Sequence, residues 1–90
     1  MNATASAPNV RGTAASLQST HIDTSGLLCP LPVLKARRAL NQMQSGQRLR
    51  VIATDAKAPG DFAAFCEQSG DLLVEASQDG ERFRIVVQKR

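Results

Sequence analysis

The sequence predicts an α+β fold: a two-layer α/β sandwich in the order β-α-β-α-β-β, with two helices packed on one face of a four-stranded mixed sheet. Three observations point to it. Val33, Ala36, Leu40 and Met43 recur at i, i+3, i+7 and i+10, the period of an amphipathic helix. Leu49, Val51 and Ala53 alternate with Arg50, Ile52 and Thr54, as in a strand with one wetter face. Gln78-Asp79-Gly80 separates two further strand-like runs with the Asp-Gly signal of a hairpin. Elements in this order bury both helices against one side of a sheet when the crossovers are right-handed.

Each element has its own signal. Residues 1–20 are rich in Ala, Ser, Thr and Asn, carry one charge at Arg11 and show no sustained period, so they are expected to form a disordered tail. A short first strand over His21 to Ser25, with Ile22 between polar neighbours, is closed by Gly26. Pro30 and Pro32 suit a first helical turn, where a missing N–H costs nothing, and put the start of the first helix near Cys29. Ser45-Gly46 is expected to end it. After the strand Arg48 to Thr54, a turn over Asp55 to Gly60 leads to Asp61, the expected N-cap of a second helix running to Ser69. Phe62, Phe65 and Cys66 form its buried stripe, and Gly70 stops it. The last two strands are Leu72 to Ser77 and Glu81 to Gln88.

Length and composition exclude several classes. The 90 residues allow one domain, over residues 21–90. No apolar run reaches the roughly 20 residues that span a bilayer, and neither a secretory leader nor a disulfide framework is visible, so a reducing, cytoplasmic setting is expected, with no membrane partner. The net charge is +3, with Lys35, Arg37 and Arg38 clustered after Pro32 and Arg82, Arg84, Lys89 and Arg90 near the end. Acidic partners and nucleic acid both suit such charge. Trp and Tyr are absent and the three Phe fall at positions that look buried, which leaves few rings for base stacking and argues against single-stranded nucleic acid.

The chemistry centres on Cys29, in Cys29-Pro30-Leu31-Pro32. A free cysteine is most often a small buried hydrophobe. Here the loop-to-helix junction and the stiff prolines favour a surface thiol, and a helix N-terminus is expected to favour its thiolate. A fall in pKa from about 8.5 to about 7 would raise the thiolate fraction at neutral pH from about 3% to about 50%. Pro32 stands where a redox motif would carry a resolving thiol, so dithiol exchange within the motif is excluded. Cys66 and the lone His21 give no metal spacing, Cys66 belongs to the core, and His21 is solvated. Lys35 and Arg38, three apart, share a helix face that is either simply solvated or a docking surface for an acidic partner. Asp55 is a turn residue able to bond backbone amides of the loop.

The run Asp23-Thr24-Ser25-Gly26-Leu27-Leu28-Cys29-Pro30-Leu31-Pro32-Val33-Leu34-Lys35 resembles the signature of the TusA-like (TusA, SirA, YedF) sulfur-carrier family, Gly-Leu, one variable residue, then Cys-Pro-x-Pro. The likeness continues through Gly46, Asp55, Ala58-Pro59-Gly60-Asp61-Phe62, Phe65-Cys66, Gly70 and the hairpin, and so covers residues 21–90. Asp71 departs from the family, standing where a histidine is frequent. The resemblance implies a sulfur carrier whose Cys29 accepts sulfane sulfur as a persulfide and relays it, in tRNA thiolation, molybdenum-cofactor sulfuration or sulfur oxidation. Gly26, Pro30, Pro32 and Asp55 would support the motif, and Lys35 and Arg38 would face partners. Its expected partners are a donor protein, a cysteine desulfurase or a rhodanese, and an acceptor protein. It implies a monomeric relay rather than a turnover enzyme, with no cofactor or metal of its own. The rival reading is a small regulatory or nucleic-acid-binding module using the basic surface.

Overall fold

Parallel pairing of the first two strands organises the molecule in the computed structural model, which describes residues 20–90. The elements are β1 (Thr20–Thr24), α1 (Leu31–Asn41), β2 (Arg48–Ala53), α2 (Ala58–Ser69), β3 (Leu72–Asp79) and β4 (Arg82–Gln88). The strands form one sheet in the order β1-β2-β4-β3. β1 lies parallel to β2, and β4 is antiparallel to both of its neighbours. β3 therefore runs in the direction of β2, with β4 inserted between them. The sheet is mixed and both helices lie on one side of it, α1 over β1 and β2, α2 over β3 and β4, as the sequence predicts.

The core follows the two periodicities. Ala36 and Leu40 of α1 and Phe62, Phe65 and Cys66 of α2 meet Leu49, Val51 and Ala53 of β2 and Ile85 and Val87 of β4. Ile22, Val33, Met43 and Phe83 pack on its margin. Val86 points to the other face yet is buried, because the register sets it between Arg50 and Glu75, whose long stems can cover it. On that face Arg84 pairs with Glu75 at 3.5 Å, with both side chains close to half-exposed. β3 carries a bulge between Leu73 and Glu75.

Boundaries depart from expectation at several element ends. β2 stops at Ala53 rather than Thr54, and β4 starts at Arg82 rather than Glu81. Thr20, assigned to the tail, pairs with Leu49 and opens β1, which ends at Thr24 rather than Ser25; the rest of the expected tail, residues 1–19, lies outside the described residues. The start of α1 moves from Cys29 to Leu31, with Pro30 as its cap residue. The helix ends at Asn41 rather than at Ser45-Gly46, because the Gln42 and Met43 N–H groups turn back three residues, to Ala39 (3.1 Å) and Leu40 (3.0 Å). Gly46 instead donates to the Lys89 carbonyl at 2.8 Å. α2 starts at Ala58, three residues before Asp61, since Pro59 sits in the first turn where no N–H partner is needed and the Asp55 carbonyl accepts the Ala58 N–H at 3.0 Å. β3 runs on to Asp79, so the tight turn falls at Gly80-Glu81, with φ of +62° at Gly80.

Phe62 is fully buried at the centre of the core. Phe62→Ala should cost about 3–5 kcal/mol, a large share of the stability of so small a domain. Urea unfolding followed by far-UV circular dichroism checks this, and a loss below about 1 kcal/mol would show that the core does not depend on this ring.

Candidate functional site

A short loop lifts Cys29 to the surface between β1 and α1. Thr24, fully buried, anchors the end of β1 by donating its hydroxyl to the Ile52 carbonyl at 2.7 Å. Gly26 then takes a φ of +82°, which a residue with a Cβ adopts only at a cost, and its N–H donates to Thr54 Oγ1 at 2.8 Å. The Leu27 N–H closes the turn on the Thr24 carbonyl at 3.1 Å. Next, the Cys29 N–H donates to Asp55 Oδ2, while Asp55 Oδ1 accepts the Lys57 N–H at 3.3 Å. One carboxylate thus ties the Cys29 loop to the start of α2. The Cys29–Pro30 peptide bond is cis. Pro32 is buried in the first turn of α1, and the Leu34 N–H reaches the Pro30 carbonyl at 3.1 Å.

The thiol is free and exposed. It stands two residues before the first helical residue, and its environment is acidic. Asp61, in the first turn of α2, offers its carboxylate as acceptor for the thiol hydrogen and pushes the Cys29 pKa up; desolvation and the charges of Asp61 and Asp55 add to this, and Lys57 opposes it. The expected lowering of this pKa is therefore overturned. Two aspartates brought in from the β2–α2 connection and from α2 outweigh the partial positive charge of the α1 terminus.

Beside the sulfur runs a groove of about 190 Å³, walled by Pro30, Val33, Arg37, Asp61 and Phe65 among others. The Arg37 guanidinium lies 5.7 Å from the centroid of the Phe65 ring, a cation–π arrangement. Lys35 and Arg38 are exposed and come together with Leu31, Leu34 and Arg37 around a second hollow of about 330 Å³ on the outer side of α1, so that Arg37 borders both. Of the sequence-predicted residues, the structure gathers Gly26, Cys29, Pro30, Pro32 and Asp55 in one junction and sets Lys35 and Arg38 on the adjoining helix face. The sequence reading missed Arg37, Asp61 and Phe65 as neighbours of the thiol. Arg37 was findable, since it follows Val33 by four residues on the same helix face; Asp61 was not, because its approach depends on how α2 packs beside α1.

Cys66 is buried in α2 and free, and burial, reinforced by the charge of Asp71, pushes its thiol up. Asp71 is itself buried and fully engaged. Its Oδ1 accepts the Arg90 N–H at 3.0 Å, and its Oδ2 accepts the Ser69 hydroxyl at 2.8 Å. No cluster of three or more His, Cys, Asp or Glu fit to hold a metal occurs among the described residues, and no helix among them is long and apolar enough to cross a membrane.

A family model described as sulfurtransferase TusA matches residues 20–89. The chain belongs to this family. It is 51% identical over 74 residues to a Neisseria meningitidis serogroup A protein named for sulfur carriage, covering 82% of this chain and 100% of the relative. It is 48% identical over 68 residues to the sulfur carrier protein TusA of Allochromatium vinosum, covering 76% of this chain and 90% of that protein. The fold matches the crystal structure of a SirA-like protein from Desulfitobacterium hafniense with a TM-score of 0.68, at 22% identity, over 77% of this chain and 95% of the other. These likenesses support sulfur carriage over a regulatory or nucleic-acid-binding module.

Because the Cys29 pKa is raised, its thiolate should appear only as pH climbs through and beyond the ordinary thiol range, and alkylation by iodoacetamide should accelerate accordingly. Asp61→Asn removes the largest cause and should shift that profile to lower pH, with faster alkylation at pH 7.5. Cys66 should stay unlabelled in the native state. An unmoved profile in Asp61→Asn would show that this carboxylate does not govern the thiol.

Proposed function

We propose that residues 21–90 are a sulfur-carrier domain in which Cys29 takes up sulfane sulfur as a persulfide and relays it to an acceptor protein. The observation that carries the reading is a free, exposed thiol, mounted on a loop anchored to Asp55 and facing a proton acceptor, in a chain of this family. The chemistry is exchange at sulfur. The Cys29 sulfur, as its thiolate, attacks the outer sulfur of a donor persulfide, a new S–S bond forms at Sγ, the donor's own S–S bond breaks, and the proton given up by Cys29 ends on the departing donor thiolate. Attack of an acceptor thiolate on the terminal sulfur of the Cys29 persulfide completes the relay. Gly26, Pro30, Pro32 and Asp55 hold the loop, and nothing in these steps requires a cofactor. The setting we propose is the cytoplasm, where such persulfides persist beside reduced thiols.

The donor, a cysteine desulfurase or a rhodanese, would dock on the outer side of α1. There Lys35 and Arg38 surround Leu31 and Leu34, each 45% exposed, next to Leu28 at 70%. An apolar centre rimmed by charge suits transient recognition of an acidic partner.

Incubation with a cysteine desulfurase, pyridoxal phosphate and cysteine should add a reducible mass of about 32 Da, one sulfur atom, to the wild type and to Cys66→Ala but not to Cys29→Ser, by intact mass spectrometry. An equal gain in Cys29→Ser would overturn the reading. Charge reversal at Lys35 and Arg38 should slow loading by the protein donor about tenfold or more at low salt and flatten its salt dependence. Unchanged kinetics would remove the docking surface from the proposal.

A further inference from the structure

The groove beside Cys29 does not stop at Arg37. Arg37, Phe65 and Gln68 are also walls of a larger hollow of about 430 Å³, which continues to the end of the chain past β4, where Lys89 and Arg90 stand. Cationic side chains outnumber acidic ones on its walls. Arg37, Lys89 and Arg90 contribute three cations, and among the described residues none of them pairs with a carboxylate. The one acidic residue on the wall, Asp71, accepts the Arg90 N–H and the Ser69 hydroxyl, and its single charge leaves the three cations in excess. Two of the cations also lie against the protein surface. The Arg37 guanidinium rests over the Phe65 ring, and the Arg90 side chain lies across Gly70, where a Cβ would fall 2.9 Å from Arg90 Cδ.

A hollow with an excess of cations, set about one helix turn or more from the acidic surroundings of Cys29, suits a ligand whose anionic end and sulfur end are apart. We propose that the groove binds a low-molecular-weight persulfide bearing a carboxylate, with the anion held among Arg37, Lys89 and Arg90 and the sulfane sulfur at Cys29. This rests on Cys29 being the persulfide-forming thiol. The dimensions suit a short peptide. Pro30 to Arg37 covers about 10 Å along the helix axis, and an extended tripeptide spans about 10 Å. Gln68, Ser69 and Asn41 supply the few convergent polar groups that fix a small ligand's orientation. The protein-docking face around Lys35 shares Arg37 with this groove, whereas Lys89 and Arg90 belong to the groove alone. The step is balanced and redox-neutral: RSSH and the Cys29 thiol give RSH and the Cys29 persulfide, with Sγ–S formed, the donor S–S broken, and one proton moved to the departing thiolate.

The test uses glutathione persulfide as the only donor, with its glycine ethyl ester persulfide as the charge-depleted comparison, and follows the mass of the full chain with time. The wild type should load faster from the acid than from the ester by about tenfold, as expected for loss of one charge-assisted contact, and added salt should shrink the difference. In Arg37→Gln/Lys89→Gln the ratio of the two rates should fall toward one, and Gln68→Glu, which places a carboxylate on the shared wall, should lower the same ratio. Equal rates in the wild type, or a ratio unmoved in both variants, overturn the proposal. If a desulfurase loads Cys29 and glutathione persulfide does not, the groove site falls and the carrier stands; if neither loads it, both fall.

Discussion

The Asp55 carboxylate is the contact on which the rest of the site depends. Its two oxygens accept N–H groups from opposite sides of a seam, Cys29 on one and Lys57 on the other, while its backbone carbonyl takes the Ala58 N–H. The sequence separation across the first of these bonds is 26 residues, so a single side chain closes the loop after β1 onto the loop after β2. Hydrogen bonds to an ionised carboxylate are roughly twice as strong as neutral ones. Both loops follow parallel neighbouring strands, which explains how one residue can reach both: β1 and β2 end side by side, with Thr24 opposite Ala53. The reactive sulfur therefore sits where a parallel strand pair opens, beyond the carboxyl ends of its strands.

That placement carries an electrostatic tension. Helix starts favour a thiolate, yet the residues that build this one, Asp55 and Asp61, disfavour it. The two influences serve different moments of one exchange. A thiol of high pKa is a stronger nucleophile once deprotonated, since nucleophilicity rises with pKa. Between encounters the sulfur stays protonated and resists adventitious oxidation and alkylation.

Much of the molecule was legible from local pattern. Period-2 and period-3.6 spacings gave β2, β4 and both helices, the buried stripe of Phe62, Phe65 and Cys66, and the outward face of β2, while β3 was set apart by the hairpin signal that follows it. Boundaries were less legible where two readings of one residue competed. Pro59 and Gly60 look like a turn, but proline is equally at home in a first helical turn, and the Asp55 carbonyl decided the matter. The seat of Cys29 could be read from its prolines; its charge environment could not, because Asp61 is 32 positions along the chain and meets it only through helix packing. Asp71, marked in the sequence only as standing where the family often has a histidine, is the buried acceptor of the Arg90 backbone N–H.

The bulge in β3 has a bearing on how the protein behaves at high concentration. β3 is an outer strand of the sheet, and it begins with Leu72, Leu73 and Val74, all substantially exposed. An uninterrupted apolar strand at a sheet edge is a template for pairing with another chain. The extra residue at Val74 breaks the regular spacing of ladder groups in that stretch and increases the local twist. A second copy approaching this edge meets an interrupted row rather than a matching one, so the irregularity protects a small, thinly cored protein from open-ended self-association.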